Sequence, residues 1–226
     1  MISSVSHRLR RLFLLAFVCC LTIPVFALDN ERLFANLTRM FGNAGTRNFQ
    51  DWQKLIDDSR TRNLQDNLRR TNEFFNRRVQ FADDQKAWGQ ADYWATPMET
   101  LGKGAGDCED FAIAKYFSLL NMGVPNEQLR LVYVKARIGG PTSTVMQAHM
   151  VLAWYADPDA EPVVLDNLIT DIRPASRRTD LQPIFSFNSQ GIWQGAGGRD
   201  TQGPGGTSRL SRWQDLLQRA RNEGFD

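Results

Sequence analysis

Cysteine and histidine are scarce in this chain, with three cysteines and two histidines among 226 residues. His7, Cys19 and Cys20 all fall within the first 27 positions, so the rest of the chain holds only Cys108 and His149. A disulfide framework within that larger part is therefore excluded. Internal repeats and an EF-hand calcium loop are also absent from the sequence, which excludes a repeat architecture and that kind of metal site.

The first 27 residues have the three parts of an export signal. A basic start is followed by an apolar run from Leu12 to Phe26, and a small-residue cleavage pattern ends at Ala27. The sequence therefore predicts a signal peptide of residues 1–27 and a mature chain of residues 28–226. The apolar run is short for a membrane span, although an uncleaved N-terminal anchor stays an alternative. A lipoprotein anchor is disfavoured, because Val18 stands before Cys19 where a small residue is expected.

The charge of the chain is nearly balanced, with 27 Lys and Arg against 25 Asp and Glu. The predicted signal removes three arginines and no acid, leaving 24 basic against 25 acidic residues and a net charge of −1. This balance argues against nucleic acid as a partner. The remaining 199 residues are the size of one ordinary domain. An exported chain normally uses cysteines in pairs, so the single Cys108 requires burial or a chemical role.

The first half of the mature chain has a helical pattern. Apolar residues recur at helical spacing from Asn30 to Val79, which predicts three amphipathic helices with a break at Gly42 to Gly45. An aromatic, loop-rich stretch follows from Phe81 to Gly106, in which Trp88 and Trp94 are candidates for lining a cleft, although packing is the more frequent role of such residues. Helical periodicity then returns from Cys108 to Leu120.

The second half has the alternating pattern of strands. Three strands are predicted at Leu129–Ile138, Met146–Tyr155 and Val163–Leu165. Helices followed by strands predict an α+β fold, with an antiparallel sheet packed against the Cys108 helix. Residues from about 190 to 208 are rich in glycine, and this composition predicts a flexible segment within the single domain. Trp213, Leu216 and Leu217 indicate a short terminal helix.

Cys108, His149 and Asp166 form a candidate catalytic set. Cys108 stands at a predicted helix start after a glycine-rich loop, where the helix dipole and free N–H groups stabilise a thiolate, and where its own N–H can bind an oxyanion. His149 lies on a predicted strand and Asp166 ends the next strand, so the acid can orient the imidazole. Singly, each residue is more often a buried structural group, but the three together favour nucleophilic catalysis.

Three motifs resemble the bacterial transglutaminase-like cysteine proteinases, and specifically the LapG-type periplasmic proteases. They are Gly106-Asp107-Cys108-Glu109-Asp110-Phe111-Ala112, Ala148-His149-Met150-Val151-Leu152 and Val164-Leu165-Asp166-Asn167-Leu168. The resemblance covers roughly Leu28 to Trp193. It implies a papain-like/transglutaminase-like core in which Cys108 is the nucleophile, His149 the general base and Asp166 its orienting acid.

The same resemblance implies a cellular location, a substrate and an inhibitory partner. It implies location in the periplasm and a substrate that is a double-alanine segment near the N-terminus of a large surface adhesin, whose cleavage promotes biofilm dispersal. It also implies an inhibitory partner, an inner-membrane cyclic-di-GMP receptor that captures the protease.

Acidic residues surround the candidate nucleophile. Asp107, Glu109 and Asp110 would raise the pKa of the Cys108 thiol and oppose the helix dipole. Asp107 can cap the helix, and acids are common in a first helical turn. Clustered carboxylates are also calcium ligands, and the resemblance implies calcium bound through Asp107 and Glu109.

Three functions are compatible with the residues. The first is a periplasmic cysteine endopeptidase. The second is a transglutaminase-type acyl transferase, which would use the same triad because both reactions pass through a thioester. The third is a binding module that retains the triad without turnover.

Overall fold

The structure is a computed structural model, and it describes residues 29–196 and 210–225. The predicted signal peptide and residues 197–208 of the predicted flexible segment lie outside the described residues. Among the described residues, no helix combines the length and the hydropathy that a membrane crossing requires.

The N-terminal part is helical, as predicted. Helix α1 spans Asn30–Ser59, and Gly42 interrupts it with a φ of 61°, a conformation that glycine adopts without strain. Helix α2 spans Leu64–Arg78 and is capped by Asn63, whose side chain accepts a hydrogen bond from the N–H of Asp66. The break at Gly42 divides α1 into two segments, so three helical segments are present and the prediction is confirmed.

The stretch predicted to be loop-rich contains two short helices, α3 at Asp84–Trp88 and α4 at Pro97–Lys103. Helix α4 has a complete start signal: Pro97 is its first residue, and Thr96 and Glu99 exchange side-chain and backbone hydrogen bonds. Two short strands, β1 at Gln80–Phe81 and β2 at Ala105–Gly106, pair in parallel and bring the two ends of this stretch together. The loop-rich prediction was therefore wrong for these two segments.

Helix α5, at Cys108–Asn121, is the central helix of the domain. Every residue from Asp110 to Leu120 is buried, because this helix is covered both by other helices and by the sheet. Trp52 of α1 donates a hydrogen bond from Nε1 to the Ser118 hydroxyl of α5 at 2.7 Å. Burial of this helix positions its first residue, Cys108, relative to the sheet.

A six-stranded antiparallel sheet packs on α5. Its strand order is β6-β5-β4-β3-β7-β8, and the strand bounds are β3 Leu129–Arg137, β4 Met146–Trp154, β5 Val163–Leu165, β6 Arg173–Pro174, β7 Leu181–Phe187 and β8 Ile192–Gln194. The α+β prediction is confirmed, and β3, β4 and β5 match their predicted ranges to within one residue. Strands β6, β7 and β8 were not predicted, and β8 lies inside the segment predicted to be flexible.

The two faces of the sheet have different neighbours. Leu131, Met150 and Leu152 face the helices and belong to the main core, while Val132, Val134 and Val151 form a smaller apolar cluster on the opposite face. A terminal helix, α6 at Ser211–Glu223, completes the main core with Trp213 and Leu216, as predicted.

Candidate active site

Cys108 is the first residue of α5, and short-range packing holds it in place. Asp107 occupies the N-cap position, and Gly106 precedes it in β2. A Cβ atom at Gly106 would collide with the side chain of Asp110, so glycine is required for this close approach. The carboxylate of Asp110 accepts the Ala95 N–H at 2.8 Å and the Asp107 N–H at 3.4 Å, which joins the helix start to the preceding loop.

Cys108 and His149 line one cavity of about 690 Å³, which we call the Cys108 cavity. This volume lies within the range of ligand sites in proteins. Its other lining residues are Phe81, Asp83, Asp92, Trp94, Asp107, Glu109, Tyr133, Gln147, Ala148, Met150, Phe185, Leu210, Ser211 and Arg212. The cavity therefore has both the candidate nucleophile and the candidate base among its lining residues.

Of the two tryptophans suggested for the cleft, Trp94 lines the cavity and Trp88 does not. Arg219 of α6 anchors the Trp94 loop by donating to the Trp94 carbonyl at 2.6 Å and to the Glu99 carboxylate at 2.7 Å. Trp88 instead donates its Nε1 N–H to Asp110 at 3.4 Å.

His149 and Asp166 form a buried pair. Nε2 of His149 lies 2.8 Å from Oδ1 of Asp166, and β5, which ends just before Asp166, pairs with β4, which carries His149. Burial alone would raise the pKa of Asp166. The hydrogen bond and charge of His149, the Leu168 N–H and the Arg178 guanidinium outweigh burial and lower this pKa to about 2. Asp166 is therefore ionised across the physiological pH range.

The thiol of Cys108 has a different environment from the one expected for a thiolate. Its Sγ lies 3.0 Å from Oε2 of Glu109, and among the described residues no hydrogen bond joins it to His149. Burial raises the pKa of the thiol, and the negative charges of Glu109 and Asp107 raise it further, while the Met150 backbone N–H lowers it. The protein's own groups therefore hold the thiol protonated, in agreement with the expectation that nearby acids oppose the helix dipole.

Five carboxylates gather beside Cys108, and we call them the acid cluster: Asp84, Asp92, Asp107, Glu109 and Asp110. Oxygen atoms within the sets Asp84–Asp92–Glu109 and Asp84–Asp107–Asp110 all lie within 4.8 Å of one another. Burial, reinforced by neighbouring acids, raises the pKa of Asp107 to about 9 and that of Asp110 to about 8. Oδ1 of Asp84 and Oδ1 of Asp107 are buried and have no hydrogen-bond partner within the described part of the chain. Buried, unpartnered carboxylate oxygens require a proton or a cation.

Several residues of the site were not found in the sequence. Asp84 and Asp92 join the acid cluster from more than 15 positions upstream of Cys108, and no spacing pattern marks them. Arg178 has a side chain only 1% exposed, and it donates to Oδ2 of Asp166 at 2.6 Å and to Oδ2 of Asp180 at 2.8 Å. Lys115, two turns after Cys108, is buried, which lowers its pKa to about 7, while the charge of Asp166 raises it.

Comparisons with known proteins agree with this architecture. The family described as "Bacterial transglutaminase-like cysteine proteinase BTLCP" has a model that matches residues 47–190. The structure is similar to Legionella pneumophila LapG, with 36% identity and a TM-score of 0.71 over 86% of this chain and 98% of LapG. A calcium-bound LapG structure is similar with 36% identity and a TM-score of 0.69, covering 84% and 98% of the two chains.

An EGTA-treated LapG structure, also 36% identical, has a TM-score of 0.72 over 86% of this chain and 98% of LapG. A search of curated protein sequences gives no significant match. Because the family model covers more than half of the chain, and LapG is similar over nearly its whole length, this chain belongs to the bacterial transglutaminase-like cysteine proteinases.

Proposed function

We propose that this protein is a calcium-dependent cysteine endopeptidase in which Cys108 is the nucleophile, His149 the general base and Asp166 the acid that orients the imidazole. The observation that carries the proposal is the placement of Cys108 and His149 on one cavity, with His149 bonded to Asp166 at 2.8 Å. Membership of a cysteine proteinase family supports peptide-bond hydrolysis as the reaction.

The reaction follows from the protonation states of these groups. Because Nε2 of His149 is bonded to Asp166, Nδ1 is the ring nitrogen left to exchange a proton with the thiol. The thiol proton passes to Nδ1 as the sulfur attacks the scissile carbonyl carbon and forms a C–S bond. The C–N bond then breaks, and the amine leaves with the proton of the imidazolium. Water hydrolyses the thioester, His149 accepts its proton, and the thiol is restored.

The residues of the acid cluster fit a calcium ion. Asp107 and Glu109 would hold it, and Asp84 and Asp92 are further oxygen ligands within reach of Glu109. The orphaned oxygens of Asp84 and Asp107 support this assignment, as does the similarity to a calcium-bound LapG structure. A bound divalent cation supplies positive charge. The Glu109 carboxylate would then be a weaker hydrogen-bond acceptor for the thiol, and the pKa of Cys108 would fall.

The proposed substrate is the N-terminal region of a large surface adhesin, cut at a double-alanine site in the periplasm, so that release of the adhesin promotes biofilm dispersal. Support comes from the resemblance of the motifs to LapG-type proteases and from the structural similarity to LapG. Incubation of the purified protein with exported adhesin fragments tests the proposal. A protease shortens the fragments, an acyl transferase enlarges or modifies them, and a binding module leaves them unchanged.

The proposed partner is an inner-membrane cyclic-di-GMP receptor. Its periplasmic domain is expected to retain this protein in a pull-down from membrane extract only when the nucleotide is added, and to block cleavage of the adhesin fragment. If retention in the pull-down does not depend on the nucleotide, the regulatory proposal fails and the protease proposal stands.

Arg178 is expected to position Asp166. Arg178→Met leaves Oδ2 of Asp166 buried without its guanidinium partner, which raises the pKa of Asp166 and weakens its hold on His149. We expect kcat/KM to fall by about 10- to 100-fold, which is the usual loss when a side chain that orients a functional group through a hydrogen bond is removed. The acid limb of the pH–rate profile should move to higher pH, because protonated Asp166 persists further up the pH scale.

Asp180→Asn is the matched control for this prediction. It weakens the second ion pair of Arg178 but leaves the bond to Asp166 in place. Rates from pH 4 to pH 9 and melting temperatures are compared for both variants. A lower melting temperature with an unshifted pH profile in Arg178→Met would show that Arg178 only stabilises the fold.

A further inference from the structure

A small cavity lies beside the His149–Asp166 pair, on the face of the sheet opposite to the helices. Its volume is about 90 Å³, and ten of the eleven described residues that line it are apolar. Val134, which stands opposite His149 in the β3–β4 register, and Val151, two residues after His149 on β4, are both part of its wall. Ala175, from the segment between β6 and β7, packs against this face. We call this space the outer-face cavity.

Arg178 is the eleventh lining residue, and one nitrogen of its guanidinium is unused. Nη2 donates to Asp166 at 2.6 Å and to Asp180 at 2.8 Å, and Nε donates to Asp180 at 3.0 Å. Nη1 is buried and has no hydrogen-bond partner among the residues that the structure describes. Because the side chain is only 1% exposed, bulk water does not satisfy this N–H. An acceptor placed in the outer-face cavity, which Arg178 borders, can bind Nη1.

Water alone fits the outer-face cavity poorly. A buried water molecule makes about three hydrogen bonds to polar groups of the protein. The described side chains that line this cavity offer donors from Arg178 and no acceptor. An occupant that suits these walls therefore has an apolar body and one oxygen that accepts a hydrogen bond.

Volume and charge limit the occupant further. An apolar cavity of about 150 Å³ binds benzene, so a cavity of about 90 Å³ has room for roughly four non-hydrogen atoms. The hydrogen bond from Arg178 lowers the pKa of Asp180, and the pKa of Asp166 is about 2, so both carboxylates are ionised. This pair repels a third anion at the same guanidinium, whereas a neutral oxygen is not repelled.

We propose that the outer-face cavity binds a small neutral ketone, aldehyde or alcohol, whose oxygen accepts a hydrogen bond from Nη1 of Arg178 and whose carbon atoms contact the surrounding valines. The site is separate from the Cys108 cavity, because the two have no described lining residue in common. The occupant shares its guanidinium with Asp166, so the site is in direct contact with the group that holds the orienting acid. The proposal does not depend on the protease function.

NMR titration of protein with ¹³C-labelled valine methyl groups tests the site with three probes of nearly equal shape. We expect acetone to shift the methyl signals of Val132, Val151 and Val164, with a Kd on the order of 1 to 10 mM. Isobutene, in which a methylene group replaces the oxygen, should bind about threefold or more weakly, since a hydrogen bond to a charged donor outweighs the burial of one methylene group. Acetate at neutral pH should bind at least about 10-fold more weakly than acetone.

Two variants and a control identify where the probe binds. Ala175→Leu fills the outer-face cavity and should abolish the acetone shifts, whereas Ala156→Leu, at an exposed position outside the cavity, should retain them. Arg178→Met removes the donor and leaves the apolar wall, so isobutene should then bind more tightly than acetone. Nuclear Overhauser effects from acetone to the three valines of the parent protein give the location without any variant.

Four results would overturn the proposal. Valine signals of the parent protein that acetone does not shift would show that no such site exists. Isobutene binding as tightly as acetone would show a void without a role for Nη1, and acetate binding as tightly would show an anion site. Acetone shifts that persist in a folded Ala175→Leu protein would place the probe elsewhere. Each of these results leaves cleavage of an adhesin fragment by the parent protein unaffected, so failure here is distinct from failure of the protease proposal.

Discussion

Replacing Cys108 or His149 with alanine is expected to reduce cleavage of the adhesin fragment below detection, a loss on the order of 10⁶-fold. The nucleophile and the base act as one unit, so removal of either one removes the covalent step. Asp166→Asn is expected to retain a small residual activity, about 10⁴-fold below the parent rate, because it disturbs the imidazole orientation without removing a reacting group. Turnover of the fragment by each purified variant checks the three values.

Ser186→Ala is the matched control for the triad variants. Ser186 is fully buried on β7 and does not line the Cys108 cavity, and its hydroxyl has no hydrogen-bond partner in residues 29–196 and 210–225. Its removal should leave turnover within about twofold, since it touches no reacting group and exposes no buried polar partner. A Cys108→Ala protein that still cleaves the fragment near the parent rate would end the nucleophile assignment.

Chelation of calcium is expected to lower both activity and stability, and added calcium should restore both. At a calcium concentration of about 100 times Kd, binding contributes about 2.7 kcal/mol to the free energy of unfolding. For a domain of this size, that corresponds to a rise in melting temperature of about 5–10 °C. Magnesium should restore little, because its small octahedral shell fits an irregular set of carboxylates poorly. Calorimetric titration of the metal-stripped protein measures the binding directly.

Asp107→Ala and Glu109→Ala should reproduce the effect of the chelator on activity, and Asp57→Ala is the control. Asp57 is an exposed acid on α1, outside the acid cluster, and its removal should change neither calcium affinity nor turnover. Undetectable calcium binding together with full activity after chelation would mean that the acids serve as a helix cap and a first-turn charge group.

The stabilisation of the fold by calcium should increase as the pH rises. The pKa values of Asp107 and Asp110 are raised from 3.8 to about 9 and about 8, so the folded, chelated protein holds protons that the unfolded chain releases. The free energy of unfolding of the chelated protein must therefore fall as the pH rises from about 4 to about 8. Calcium binds the ionised carboxylates, so the rise in melting temperature on adding calcium should be larger at pH 8 than at pH 5.

Local sequence patterns were enough to predict much of the fold. Helix α5 and strands β3, β4 and β5 have strong periodicity, because each has at least one face buried in a continuous core. Strand β7 was not predicted, since Pro183 interrupts its pattern and its first half is largely exposed. Helix α4 had a readable signal in Thr96, Pro97 and Glu99, but the surrounding aromatic residues suggested a loop.

The sequence by itself determined which residues are available for nucleophilic chemistry, because only one thiol and one imidazole remain beyond residue 27. It also determined that the acid following β5 would lie near His149, since neighbouring strands of one sheet carry both. Only the tertiary structure decided how these groups titrate. Arg178, Asp84 and Asp92 reach the site from distant positions, and hydrogen bonds and pKa shifts depend on distance and burial, which sequence separation does not measure.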